Sequence, residues 1–118
     1  MSEYESKPLP DVVERFMRYV QIDSQSDPEH DDVTPSTPRQ HEMARYLGEE
    51  LTSLGCTDVT VDEHAYVTGT FPASPDAQSA PALMLCSHLD SVIDAPAAGI
   101  KPHIVHYEGG NLVAGGVA

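Results

Sequence analysis

Seven consecutive uncharged and largely apolar residues, Ala80-Pro81-Ala82-Leu83-Met84-Leu85-Cys86, constrain the fold of this chain more than any other stretch. A run of strand length that does not alternate with polar residues cannot keep one face wet, so it reads as a central strand covered on both faces. Such a strand requires layers of structure on either side of its sheet, which is an α/β arrangement. Polar residues close the run at Ser87.

The chain before it offers the covering elements. Val12, Val13, Phe16, Tyr19 and Val20 recur at helical spacing, with Pro10 suited to the first turn. Asp, Ser and Pro between Asp23 and Pro35 break that helix into an exposed loop. A second helix is punctuated by Thr37 as N-cap, Pro38 at the first helical position, Gln40 in a capping box and Gly55 as the stop. Met43, Leu47, Leu51 and Leu54 form its apolar stripe, while His41, Glu42, Arg45, Glu49 and Glu50 read as its solvated face. Val59 and Val61 alternate with polar neighbours, Glu63-His64-Ala65 turns the chain, and alternation resumes from Tyr66 to Phe71, which predicts a β-hairpin. Pro72 to Ala80 reads as a linker loop.

At 118 residues the chain is one domain at most, though long enough to bury a core. Six basic residues against nineteen acidic ones give a formal charge of -13, which argues against nucleic acid or an anionic membrane surface as a partner. The acids are dispersed over helices and loop, and Asp27-Pro28-Glu29-His30-Asp31-Asp32 lacks the alternating ligands and central glycine of a calcium loop. Cys56 and Cys86 make no disulfide framework and read as free, buried thiols of a reducing compartment. The first six residues have neither the basic flank nor the apolar stretch of a signal peptide, and no run approaches membrane-spanning length. Cytoplasmic residence is the expectation by elimination.

Ser87-His88-Leu89-Asp90-Ser91 follows directly on the apolar run. If the backbone stays extended, His88 and Asp90 share a face, and a carboxylate on one ring nitrogen fixes the tautomer while the other nitrogen is free for a metal. The triplet alone fits a structural histidine as well as a ligand. A serine nucleophile at Ser87 is disfavoured, because adjacent residues of a strand face opposite sides and no Gly-x-Ser-x-Gly elbow exists. His103 and His106 with Glu108 imitate a self-contained metal site. Ile104 and Val105 between them suggest extended backbone, which sends residues three apart to opposite sides. They read as surface histidines, as do His30, His41 and His64. Gly109-Gly110 and Gly115-Gly116 lack the Lys-Ser/Thr or capped helix of a phosphate loop and read as turns.

Three landmarks taken together, Pro35-Ser-Thr-Pro-Arg-Gln40, Ser87-His-Leu-Asp-Ser91 and Lys101-Pro-His-Ile-Val-His-Tyr-Glu-Gly-Gly-Asn111, resemble the amino-terminal part of the peptidase T branch of the M20 dizinc metallopeptidase family. The resemblance runs from about Val12 to Gly110. It implies the first part of a catalytic α/β sandwich comprising two helices, a β-hairpin and a central buried strand, with residues 1–118 an incomplete fragment of one domain. It further implies a zinc-dependent aminopeptidase acting on tripeptides, with two zinc ions and a homodimer in the complete enzyme. His88 would be a zinc ligand and Asp90 the catalytic carboxylate that orients it. The remaining ligands and the general base would lie beyond this chain, leaving the fragment alone inactive. The alternatives are another M20 hydrolase, a deacylase or dipeptidase, and a non-catalytic binding module that keeps the first half of the domain.

Overall fold

Residues 9–111 are described by the computed structural model of the chain, which places both expected helices and the hairpin. Helix α2 (Gln40–Ser53) is the organising element. Its end is set by Gly55 at φ 89°, a left-handed conformation that costs glycine little, with the Cys56 N–H donating to Leu51 O and the Gly55 N–H to Thr52 O. Both bonds satisfy carbonyls that the helix end would otherwise leave open.

Strands β1 (Thr57–Val61) and β2 (Val67–Thr70) pair antiparallel, with Thr60 opposite Thr68 and Val61 opposite Val67. Asp62 closes the turn by accepting the amides of His64 and Tyr66 at 2.9 and 2.8 Å, and Ala65 packs beneath it at φ 61°. The helix lies on this hairpin through two glycines. A Cβ at Gly48 would stand 2.6 Å from Val61 Cγ2 of the hairpin, and one at Gly69 would stand 3.5 Å from Leu51 Cδ1 of the helix. Met43, Ala44 and Gly48 are accordingly buried, whereas Leu54, assigned to the same stripe, is exposed. The stripe is narrower than its leucines suggest because glycine, which has no hydropathy signal, supplies the closest contact.

Helix α1 (Asp11–Tyr19) crosses α2 on a polar seam. Pro10 precedes the first turn as its cap residue, and its carbonyl receives the Val13 and Glu14 amides. The expected apolar face is only partly covered: Val13, Tyr19 and Val20 are half-buried, while Val12 and Phe16 are exposed. Contact runs instead through Glu50, which receives Arg15 at 3.1 Å, Arg18 at 3.6 Å and the Tyr19 hydroxyl, while the Arg18 Nε donates to the Tyr46 hydroxyl. Tyr19 and Tyr46 meet edge to face. The Glu50 side chain is only 11% exposed, so its place on a solvated face is corrected. Burial, with the hydrogen bond to Glu50, pushes the Tyr19 hydroxyl pKa up.

The central strand is the main departure. Residues 80–90 carry no ladder, and Leu83, Met84 and Leu85 are 84%, 85% and 86% exposed. Cys86, expected to be a buried thiol, is exposed too, and Cys56 is half-buried. The physical reason is one of partners: the only sheet among the described residues is the two-stranded hairpin, which does not extend to this segment. Pro72 to Ala80 is a loop as expected, with one short 3₁₀ turn at Pro75–Ala77. The mixed α/β class therefore stands, with its central strand unpaired. Gly115-Gly116 and the polar amino terminus lie outside the described residues.

Candidate functional site

His88 and Asp90 meet as the spacing anticipates. The exposed His88 ring turns Nδ1 towards the Asp90 carboxylate, 3.0 Å from Oδ1, and towards the Asp90 carbonyl, 2.8 Å away. Two acceptors at one ring nitrogen select the Nδ1–H tautomer and leave Nε2 with its lone pair. That is the state in which an imidazole can bind a cation.

The segment that follows is anchored in the loop between α1 and α2. Gln25 and Ser91 form a parallel bridge, in which Ser91 N–H donates to Ser24 O at 3.3 Å and Ser26 N–H to Ser91 O at 3.2 Å. Ser24 is buried, so this part of the loop is not the exposed connection expected from its composition. Thr37 does not cap α2 with its side chain. Its hydroxyl donates to Gln25 O at 2.7 Å, which ties the bridge to the start of the helix and leaves Arg39 as the cap residue. An open cleft of about 260 Å³ results, lined by Asp27, Asp90 and Asp94 together with Ser26, Val92 and Ile93.

Asp23 and Asp27 shape the loop beside this cleft. Burial pushes Asp23 up, but the Gln25 amide and the Arg39 guanidinium at 2.9 Å outweigh it and hold the carboxyl below its usual value. The Glu29 amide and then the His30 ring at 2.8 Å do the same for Asp27. Depressed values mean stability that is fully present above the unfolded pKa and lost as pH falls through the folded one. We expect the Gln25 and Glu29 amide resonances, which report the two carboxylates, to move with midpoints below the ordinary value of 3.8. Midpoints at or above that value would contradict these contacts.

The other histidines stay apart from the pair. His64 Nδ1 bonds Thr34 O at 3.1 Å, and His103 and His106 are exposed, the latter 3.6 Å from Glu108. Among the described residues no three His, Cys, Asp or Glu side chains converge as a metal-holding group. Ser87 Oγ bonds only the His88 carbonyl, at 3.4 Å, and not the imidazole, which removes the serine nucleophile geometry. Gln25 and Thr37 were not apparent as site residues in the sequence. The nearest signal is Thr37 itself, whose hydroxyl can serve either a helix end or a distant carbonyl.

Fold and geometry define a class: a mixed α/β unit presenting a carboxylate-braced imidazole from an extended segment. Over nearly nine-tenths of its length this chain is similar to proteins named peptidase T. It is 40% identical over 104 residues to a protein of that name from Geobacillus sp. (strain WCH70), with 87% of this chain and 25% of the relative covered. The peptidase T of Geobacillus thermodenitrificans is 42% identical over the same shares. That of Clostridium botulinum (strain Langeland) is 42% identical over 89% of this chain and 26% of its own. The chain thus spans about a quarter of the length of these relatives. No family model matches it. Among the described residues no helix is long and apolar enough to cross a membrane.

Proposed function

We propose that residues 1–118 are the amino-terminal portion of the catalytic domain of a cytoplasmic, zinc-dependent aminopeptidase that releases the first residue of tripeptides. The observation that carries this reading is the His88–Asp90 pair, set in a chain similar to proteins named peptidase T. His88 fits as one zinc ligand through Nε2, and Asp90 fits as the carboxylate that orients the ring. Zinc supplies a Lewis acid and a water made acidic near neutral pH. Catalytic zinc sites use three or more protein ligands, so the further ligands, the second ion's site and the general base belong to the longer protein, which we propose to be a homodimer.

A direct test compares this chain with a version extended to the length of the relatives. The 118-residue chain is expected to lose zinc on dialysis and to leave tripeptides intact, because one imidazole is too few ligands. The extended protein should retain zinc and cleave them. Stoichiometric zinc surviving dialysis of the short chain would place a complete site within it and return His103 and His106 to consideration.

A further inference from the structure

The segment carrying the proposed ligand has no ladder upstream, since residues 80–90 are unpaired, so its direction must be set from downstream. The first fixed point is the peptide unit joining Asp90 to Ser91. A peptide is planar, with its N–H and C=O pointing opposite ways. The Ser91 N–H of this unit is held by Ser24 O at 3.3 Å, and its Asp90 C=O faces His88 Nδ1 at 2.8 Å. One rigid plane therefore links the α1–α2 loop to the imidazole.

Gln25 keeps that plane in place. Its carboxamide donates to Val92 O at 2.9 Å and to Ala95 O at 3.0 Å, closing the turn that follows Ser91. Both partners are acceptors, so the amide orientation is dictated, and both donors come from the Gln25 NH₂ group. Its own carbonyl is fixed by Thr37. Glutamate has the same length and no donor, and would set a negative charge against two carbonyls.

We propose that Gln25 is the positioning residue of the His88–Asp90 pair, acting through the Asp90–Ser91 peptide to hold the His88 ring in its Nδ1–H tautomer. The inference deepens the proposed function by naming what aims the ligand, and its metal-binding consequence rests on that reading. Its structural part does not.

The test uses ¹⁵N-histidine spectra and amide exchange of the 118-residue chain at a pH where the ring is neutral, with Gln25→Glu and the uncharged Gln25→Met beside the unaltered protein. The unaltered chain should show the Nδ1–H form at His88. Both variants should shift it towards the Nε2–H form that an unconstrained imidazole prefers, and Ser91 amide exchange should quicken about tenfold, the worth of one to two net hydrogen bonds. Amides of α2 should keep their protection. An unmoved tautomer overturns the proposal. So does loss of α2 protection in both variants, because Gln25 would then be a structural residue. These readouts need no metal, so a wrong zinc assignment leaves them standing. An unmoved tautomer retires Gln25 alone and leaves the zinc reading to the extended protein.

Discussion

In the protein extended to the relatives' length, a tripeptide with a free α-amino group is expected to be hydrolysed on the order of 10⁴ times faster than the same peptide acetylated at that amine. An aminopeptidase must recognise the charged amine, and a site built to hydrogen-bond it leaves its own polar groups unpaired when an amide takes its place. A deacylase of the same family would show the reverse preference. The expectation rests on the Pro35–Gln40 and Lys101–Asn111 landmarks and on the similarity to proteins named peptidase T. Steady-state kinetics on the paired substrates decide the matter. Equal rates would overturn the aminopeptidase reading, and acetate released from the blocked peptide would assign the chain to the deacylases.

His88→Ala in that extended protein should abolish nearly all turnover and remove zinc from one site, whereas Asp90→Ala should retain more metal and still lose on the order of 10- to 100-fold in affinity or rate. The ranking follows from geometry. His88 presents the nitrogen that would meet the ion, and Asp90 acts 3.0 Å away on the other side of the ring. His103→Ala should change little, since among the described residues no carboxylate braces that ring as Asp90 braces His88. Metal content by mass spectrometry and kcat on a tripeptide separate the three variants. An effect of His103→Ala equal to that of His88→Ala would invert the assignment.

Much of the molecule is legible in its residues where a feature is local. The stop at Gly55, the hairpin turn at Glu63-His64-Ala65 and the His88–Asp90 contact each depend on groups within a few positions of one another, so spacing alone reports them. The Thr37 hydroxyl shows where spacing fails. It occupies a good capping position, yet it bonds the Gln25 carbonyl twelve residues earlier, because a nearby unpaired carbonyl competes for the same donor. Glu50 looks like part of a wet helix face, and only the crossing of α1 brings two arginines and a tyrosine onto it.

Residue order and spacing are therefore enough for the mixed α/β class, the order of helices and hairpin, and the pairing of an imidazole with a carboxylate two residues on. The tertiary structure alone decided that Ala80–Cys86 stands unpaired, that α2 meets the hairpin through Gly48, and that Gln25 reaches the turn after the candidate ligand. Helical and strand periodicity are written in neighbouring residues. Burial and ladder pairing depend on which distant segments arrive, and a backbone-anchored contact such as that of Gln25, sixty-seven positions from Val92, leaves no periodic trace for a sequence to carry.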